Sequence, residues 1–202
     1  MNIFLNKRIL IYGLGKSGLS SFKFLKKKNF VVLYDDFLSK TQTSNVKKNI
    51  ISYKNILKYK FDQIIISPGI DINKCKLSRF LKKNRNKIYS DLDVFYSFYK
   101  NDCITITGTN GKSTTCQLLY KILSDQKFDV KLVGNIGTPI LSVKKVNKKT
   151  IFVIEASSYQ LEYSKIFKSK YAAILNISPD HIERHKTLKK YIKAKFKLLK
   201  NQ

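Results

Sequence analysis

Short runs of aliphatic and β-branched residues recur along the chain, and each is followed by a glycine-containing or polar loop. Runs of this length between turn residues are typical of buried strands. After several of them the apolar positions change to helical spacing. Repeated strand–loop–helix units predict the α/β class, with mostly parallel sheets covered by helices. The predicted strands are residues 8–12, 31–36, 61–67, the run that opens residues 104–115, and residues 129–133, 150–157 and 171–176.

Helical spacing is clearest in five segments. Residues 19–25 and 76–83 follow the first and third strands, and an aromatic-rich helix is predicted at 90–100. In the helix after residue 111 we take Leu118, Leu119, Ile122 and Leu123 as the apolar positions. In the basic amphipathic helix at 186–200 we take Leu188, Tyr191, Ile192, Phe196 and Leu199.

The stretch ITITGTNGKSTT, residues 104–115, predicts a phosphate-binding loop. A strand that opens into a glycine-bounded loop, with a helix behind it, directs successive backbone N–H groups at one point. Lys112 adds a positive charge there, and the hydroxyl of Ser113 is a suitable Mg²⁺ ligand. The spacing is GxxGKSTT, because Ile106 stands where the usual pattern has its first glycine. The tripeptide alone would also fit a surface turn.

A second glycine loop, GLGKSG at 13–18, follows the first strand. Its spacing matches the GxGxxG of dinucleotide-binding units, and Asp35 and Asp36 come about 20 positions later, where an acid would hold a ribose hydroxyl. The same spacing also occurs in strand–helix turns that bind no cofactor. Both interpretations remain open on these residues alone.

Polar side chains follow the other strands, at the sheet edge where open α/β sheets bind ligands. Glu155 ends one strand and is suited to Mg²⁺ beside a phosphate loop; alternatively it is a carboxylate favoured by the start of a helix. His181 is either a ligand or a hydrogen-bonded structural histidine. His185 lies four residues on, but no third nitrogen or sulfur ligand is in evidence, so zinc is not favoured.

The chain has 202 residues, 40 Lys or Arg against 13 Asp or Glu, and a formal charge of +27. Such charge can indicate nucleic-acid binding or anionic substrates. However, the lysines run from Lys7 to Lys200, and Ile and Asn are also abundant, so a general compositional bias is favoured. Three cysteines without CxxC spacing indicate reduced thiols. No signal peptide or membrane-spanning run is predicted.

Taken together, the motifs resemble the Mur ligases of peptidoglycan synthesis, and within that family the members that add D-glutamate. They occur in the family's order and cover nearly the whole chain. The short TNGKST loop, which is unusual as a general phosphate loop, is the family's own form. The segments that carry the resemblance are GLGKSG (13–18), SPGI (67–70), TGTNGKSTT (107–115), GNIG (134–137), EASSYQLE (155–162), LNISPDH (175–181) and YIKAKFKL (191–198).

The resemblance implies an ATP-dependent amide ligation in the cytoplasm, in cell-wall synthesis and hence in cell shape and division. ATP would phosphorylate the carboxylate of UDP-N-acetylmuramoyl-L-alanine, and the amine of D-glutamate would attack the acyl phosphate. The implied cofactors are ATP and Mg²⁺. A full-length monomer is expected, with no nucleic-acid partner and no membrane insertion.

The resemblance also implies residue roles. Lys112, Glu155, His181 and Lys195 would be catalytic, with Ser113, Glu155, His181 and a carbamylated Lys195 holding Mg²⁺. The phosphates of ATP would lie on Gly108, Thr109, Asn110, Gly111, Lys112, Ser113, Thr114 and Thr115. The UDP-substrate would contact Leu14, Gly15, Lys16, Ser17, Asp35, Asp36, Ser67, Pro68, Gly69 and Asn135.

We predict a Rossmann-like substrate domain at 1–92 and a P-loop ATPase-like domain at 93–202. By comparison with the family, the second domain looks incomplete and a third, D-glutamate-binding domain is missing, so no turnover is expected from this chain alone. Two alternatives remain: a non-catalytic module that binds a UDP-sugar or nucleotide, and a basic nucleic-acid-binding protein.

Overall fold

The computed structural model of the chain describes residues 2–37 and 46–200. Within these ranges the named strands form two four-stranded sheets, and neighbouring strands in both sheets are parallel. Parallel strands need crossover connections, which here are mostly helices. The predicted α/β class with parallel sheets is confirmed.

The first sheet has the strand order β2-β1-β3-β4. Its strands are β1 (Arg8–Tyr12), β2 (Phe30–Tyr34), β3 (Gln63–Ile66) and β4 (Ile88–Tyr89). The associated helices are α1 (Lys16–Leu25), α2 (Tyr53–Ile56) and α3 (Ser78–Lys83), with 3₁₀ turns at Lys47–Asn49 and Arg85–Lys87. All four residues of β3 are buried, as expected for a strand covered on both faces.

The second sheet has the order β6-β7-β5-β8. Its strands are β5 (Cys103–Thr107), β6 (Val130–Gly134), β7 (Ile151–Glu155) and β8 (Tyr171–Ile174). Helix α4 (Asp91–Phe98) precedes it, and a 3₁₀ turn lies at Ile140–Ser142. The remaining helices are α5 (Lys112–Asp125), α6 (Ser158–Tyr163), α7 (Ile182–His185) and α8 (Leu188–Lys200). In the described ranges, no helix has the length and apolar character needed to cross a membrane.

The two sheets share one apolar core. Ile11 of β1, Phe95 of α4 and Phe152 of β7 belong to the same cluster of buried side chains. The rings of Phe95 and Phe152 lie 4.8 Å apart, edge to face, a favourable aromatic geometry. Helix α4 therefore packs between the two halves of the chain.

The predicted boundary after residue 92 falls inside α4. Just before this helix, β4 pairs with the first sheet. Within it, the fully buried carboxylate of Asp93 accepts hydrogen bonds from the N–H groups of Lys165, Ile166 and Phe167, at 2.9, 2.8 and 3.0 Å. The division into 1–92 and 93–202 thus stays a prediction.

The predicted inward face of α8 was partly wrong. Tyr191 is buried as expected, whereas Leu188, Phe196 and Leu199 are among the exposed large apolar side chains. The face that packs against the protein is formed by Tyr191, Ala194, Lys195 and Leu198. The error arose because a lysine was assumed to face solvent, and the register was chosen from residue type alone.

The prediction for α5 was also only half right. Leu119 and Leu123 pack against the sheet, but Leu118 and Ile122 are 57% and 49% exposed. The fully buried position of this helix is Cys116, three and seven residues before the two packed leucines. Residues at this spacing lie on one helical face, so the inward stripe is narrower than the apolar sequence suggested.

All three cysteines are free. Cys103 and Cys116 are buried, and burial raises the pKa of both thiols to about 12. They are therefore protonated and unreactive at neutral pH.

Candidate functional site

The predicted phosphate loop connects β5 to α5. Gly111 caps the helix with φ +78°, a left-handed conformation that glycine adopts without a steric penalty. Lys112 begins the helix, so the N–H groups of Lys112, Ser113 and Thr114 have no acceptor within it. A helix start of this kind favours an anion.

Asn176, two residues after the end of β8, holds the loop in shape. Its Oδ1 accepts hydrogen bonds from the N–H groups of Thr109 and Asn110, at 3.2 and 2.9 Å, and its Nδ2 donates to the carbonyl of Asn110 at 3.1 Å. Thr109 also bonds through its hydroxyl to Tyr191. Two predicted phosphate-binding residues thus already have their N–H groups bonded, which leaves the first turn of α5 as the source of free donors.

Glu155 lies beside this helix start at the end of β7 and is 1% exposed. Its carboxylate accepts one hydrogen bond from the hydroxyl of Ser113 and one from Nδ2 of Asn135, both 2.7 Å long. The following helix is capped instead by Ser157 and Gln160. Ser113, Asn135 and Glu155, which the sequence placed in three different segments, therefore converge on one point.

A cavity of about 280 Å³ opens beside the loop. Of the predicted site residues it is lined by Gly108, Lys112, Asn135, His181 and Lys195. The ammonium of Lys112 is folded back and donates to the carbonyl of Thr109 at 2.8 Å. In this position the charge lies over the loop itself.

Lys195 enters this cavity from α8 although only 2% of the residue is exposed. Its Nζ donates to the carbonyl of Gly108 at 2.7 Å. Burial, together with the positive charge of Lys112, lowers the pKa of Lys195 to about 8. A substantial fraction of this amine is therefore neutral slightly above neutral pH.

The two histidines have different environments. His181 lies on the cavity with a side chain that is 43% exposed, and its Nε2 is 3.4 Å from a carboxylate oxygen of Asp180. His185 is buried, with its Nε2 3.0 Å from the hydroxyl of Ser158, and burial lowers its pKa. Across residues 2–37 and 46–200, no group of three or more His, Cys, Asp or Glu side chains could hold a metal ion.

The glycine loop of the first sheet packs closely against its surroundings. The N–H of Leu14 donates to Asp35 at 2.6 Å, and the hydroxyl of Ser67 donates to the carbonyl of Gly13 at 2.7 Å. A Cβ at Gly18 would lie 1.8 Å from that same carbonyl oxygen, so only glycine fits. The predicted substrate residues that remain exposed here are Gly15, Lys16 and Gly69.

Asp36 has one oxygen bonded and one without a partner. Oδ2 accepts hydrogen bonds from the hydroxyl of Tyr12 at 2.7 Å and the N–H of Lys76 at 3.1 Å. Oδ1 is buried, and no described residue donates to it. Burial and the neighbouring Asp36 both raise the pKa of Tyr12. Buried carboxylate oxygens normally have a hydrogen-bond partner, so this one stands out among the described residues.

Asp91, which was not predicted from the sequence, connects the two groups of predicted residues. Its carboxylate accepts a hydrogen bond from the hydroxyl of Ser17 at 2.6 Å and another from Nε2 of Gln160 at 3.2 Å. Burial raises the pKa of this carboxyl group. Apart from Asn135, the predicted substrate residues do not line the cavity beside the phosphate loop. The two groups are adjacent through Asp91 and do not share that cavity.

Two family models match the sequence. The model described as the Mur ligase MurD-like N-terminal domain matches residues 7–88, and the model described as the Mur ligase middle domain matches residues 106–202. Together they cover most of the chain.

Curated relatives are named UDP-N-acetylmuramoylalanine–D-glutamate ligase. The relative from Rickettsia bellii is 38% identical over 98% of this chain and 44% of its own length. The relative from Caldicellulosiruptor bescii is 40% identical over 96% of this chain and 45% of its own length. The chain thus spans somewhat less than half the length of these curated relatives.

Solved structures share the fold. The UDP-N-acetylmuramate:L-alanyl-gamma-D-glutamyl-meso-diaminopimelate ligase from Neisseria meningitides matches with a TM-score of 0.60 and 15% identity, over 97% of this chain and 68% of that one. The UDP-N-acetylmuramate-alanine ligase from Thermotoga maritima matches with a TM-score of 0.54 and 20% identity, over 97% of this chain and 47% of that one.

Proposed function

Since this chain belongs to the Mur ligase family, we propose that it carries the UDP-substrate-binding and ATP-binding parts of a ligase that adds D-glutamate to UDP-N-acetylmuramoyl-L-alanine. The names of the curated relatives support the choice of D-glutamate. In the proposed reaction the γ-phosphoryl group of ATP passes to the alanine carboxylate. The amine of D-glutamate then attacks the acyl phosphate, a proton is lost from nitrogen, and inorganic phosphate leaves. The free thiols of the chain are consistent with the cytoplasm as the site of the reaction.

The observation that carries this proposal is the convergence of Ser113, Asn135 and Glu155 beside a helix start that also presents Lys112. The free N–H groups of the first turn of α5 would bind the ATP phosphates. The ammonium of Lys112 would leave the carbonyl of Thr109 and stabilise negative charge on the transferred phosphoryl group.

The donor set fits Mg²⁺. A buried carboxylate and a hydroxyl 2.7 Å apart are hard oxygen ligands, and Mg²⁺ at phosphate sites commonly takes one or two protein oxygens and completes its shell with phosphate and water. We propose that Ser113 and Glu155 hold one ion, and that His181, which lines the cavity beside the loop, contributes to a second. When bound, the ions would neutralise charge on the phosphates.

Lys195 is proposed to be carbamylated. Its lowered pKa supplies the neutral amine that this modification requires. The nitrogen lone pair attacks the carbon of CO₂ and forms a C–N bond, one C=O π bond breaks to give the carboxylate, and one of the two amine protons is released to solvent. The product is an anionic oxygen donor where a cation stood. This change suits Mg²⁺, which an ammonium group would repel.

The first sheet is proposed to bind the UDP end of the acceptor substrate. Its exposed Gly15 and Lys16 would face the pyrophosphate, with Ser67, Pro68 and Gly69 nearby. The unpartnered oxygen of Asp36 is an acceptor for a group on the uridine. The link from Ser17 through Asp91 to Gln160 would fix this loop relative to the second sheet.

The test is release of inorganic phosphate by the chain and by the longest reading frame that contains it. We expect the longer protein to release phosphate only when ATP, Mg²⁺, UDP-N-acetylmuramoyl-L-alanine and D-glutamate are all present. A Lys112→Ala change should lower the rate about 100-fold or more, whereas exchange of the exposed Lys121 for alanine should not.

Three outcomes would contradict the proposal. Activity with UDP-N-acetylmuramate and L-alanine would overturn the assignment to D-glutamate. Binding of UDP-N-acetylmuramoyl-L-alanine without turnover by the longer protein would indicate a binding module. Steeply salt-dependent binding of nucleic acid that is unaffected by Lys112→Ala would indicate a nucleic-acid-binding protein.

A further inference from the structure

A second cavity, of about 350 Å³, is unusually rich in positive charge. Six of its eleven lining residues are cationic, whereas Lys and Arg make up 40 of the 202 residues of the chain. They are Arg85, Arg184, Lys186, Lys190, Lys193 and Lys197. The general lysine bias of the sequence therefore does not account for this concentration.

The cations come from separate parts of the fold. Arg85 follows α3 beside the first sheet, whereas Lys190, Lys193 and Lys197 lie on one face of α8, at helical spacing. These three lysines line the same cavity as Arg85 and Asn73, although Lys190 and Lys193 are also exposed to solvent. Like charges held opposite one another repel, which costs stability unless an anion lies between them.

Little negative charge is present to compensate. The single acidic residue in the lining is Glu162, and its carboxylate is already bonded to Arg184 at 3.2 Å. Arg184 also donates to the carbonyl of Ile70 at 2.7 Å, so its fork is fixed in place. Lys197 donates to the carbonyls of Glu162 and Ser164. Neither Lys190 nor Lys193 contacts an acidic side chain among the described residues.

Two lysines of the cavity lining, Lys186 and Lys197, have a lowered pKa. The pKa of Lys186 is lowered, chiefly by its contact with the ammonium of Lys74. Burial lowers the pKa of Lys197, and the charge of Arg85 acts in the same direction. The charges of Asp71 and Glu183 on Lys186, and of Glu162 and Asp93 on Lys197, act in the opposite direction but do not cancel these shifts.

We propose that this cavity is a second anion-binding site, which takes a small phosphate-bearing ligand with two or more negative charges and holds it between Arg85 and α8. The site shares no lining residue with the cavity beside the phosphate loop. Its size admits a diphosphate or a phosphorylated small molecule and excludes a nucleic-acid duplex. The ligand would join the two halves of the chain, because the cationic side chains that line the site come from both halves. The proposal does not depend on the ligase reaction.

The test is calorimetric titration of inorganic pyrophosphate into the chain with Lys112→Ala, at a fixed salt concentration of about 0.15 M. The Lys112→Ala change weakens anion binding at the phosphate loop. Binding of pyrophosphate that remains in this variant therefore reports on the second cavity, whether or not the loop binds ATP. We expect saturable binding at one site. Lys190→Gln with Lys193→Gln should weaken it at least 10-fold, while Lys190→Arg with Lys193→Arg should retain it.

The matched control is Lys58→Gln with Lys60→Gln, which removes the same charge from two exposed lysines that do not line the cavity. We expect less than a twofold change in affinity. Equal weakening by both pairs would mean that the anion responds only to net charge, and absence of binding in the Lys112→Ala chain would mean that there is no second site. Equal affinity for citrate would overturn the assignment to a phosphate ligand.

Discussion

At the scale of the residue, the main feature is that two ionisable side chains, Lys195 and Glu155, are buried next to the predicted phosphate loop. Lys195 is 2% exposed and bonds to the carbonyl of Gly108, and Glu155 is 1% exposed and bonds to Ser113 and Asn135. Buried charges are rare unless they are paired or functional. Glu155 has neutral hydrogen-bond donors and Lys195 a neutral acceptor, so each remains available to a charged ligand.

We expect the stability of the chain to rise with pH between about 8 and 10.5 because of Lys195. The folded pKa of Lys195 is about 8 against an ordinary value of 10.5, so in this window the unfolded chain binds more protons than the folded one. Lys195→Met should remove a rise of roughly 2–3 kcal/mol. The measurement is the free energy of unfolding in urea at several pH values, in CO₂-free buffer.

The control for that series is Lys189→Met, which changes an exposed lysine in the same helix. It should leave the pH dependence as in the unchanged chain. If the difference between the unchanged chain and Lys195→Met stays constant from pH 7.5 to 10, Lys195 is not titrating in this window.

At the scale of the element, the packing of the start of α1 against the end of β1 depends on one glycine. Gly18→Ala would place Cβ 1.8 Å from the carbonyl oxygen of Gly13, and we expect it to destabilise the fold by about 2–3 kcal/mol or more. Gly15→Ala, in the same turn, meets no atom within 4 Å and should cost less than about 1 kcal/mol. Chemical denaturation of the two variants measures the difference, and equal losses would refute the close contact.

The register of α8 can be tested in the same way. Leu198 is 1% exposed and Leu199 is 36% exposed, although the sequence pattern favoured Leu199 as the buried residue. We expect Leu198→Ala to lower the free energy of unfolding by about 2–4 kcal/mol and Leu199→Ala by less than about 1 kcal/mol. A larger loss from Leu199→Ala than from Leu198→Ala would mean that Leu199 is the buried residue, as the sequence pattern predicted.

These elements also show how far the sequence could predict the structure. The long apolar runs gave the main strands and the α/β class, because periodicity is a local signal. The sequence did not predict β4 or α2, which have two and four residues, since so short an element has no periodic pattern. In α8 the position of Lys195 depends on a bond to Gly108, which is 87 residues away in the sequence.

In the candidate site, too, the residues marked by a local pattern were predicted, and those defined by contacts between distant parts of the chain were not. Glu155 and Ser113 were predictable because each ends or follows a strand and carries an oxygen suited to phosphate chemistry. Asp91 was missed because its contacts, Ser17 and Gln160, lie 74 and 69 residues away. The pattern Ser157-x-x-Gln160 is a capping signal that would have located the helix start, though not its link to Asp91.

At the scale of the whole molecule, the two sheets should unfold together, because one apolar cluster includes side chains from both. Phe95→Ala would open a cavity at their junction and should destabilise the chain by about 3–5 kcal/mol. Hydrogen exchange followed by mass spectrometry should show faster exchange in β1 and in β7 alike. Faster exchange confined to one sheet would mean that the halves are independent.

A matched change at Ile64 separates the two possibilities. This side chain is fully buried, but it belongs to a second cluster made mostly by the first sheet. If the halves are coupled, Ile64→Ala should also accelerate exchange in β7 by the same global opening. Protection of β7 that is unchanged in this variant would show that the second sheet survives without the first.

The hydrogen bonds between Asn176 and the predicted phosphate loop have a kinetic consequence. Three hydrogen bonds already fix the backbone of Thr109 and Asn110 before any phosphate arrives. Under the proposed function, ATP does not have to order the loop, and its binding should be a single step whose observed rate grows linearly with ATP concentration. A loop that is ordered in advance selects its ligand by charge and shape. Any conformational change that accompanies binding would then take place in other parts of the protein.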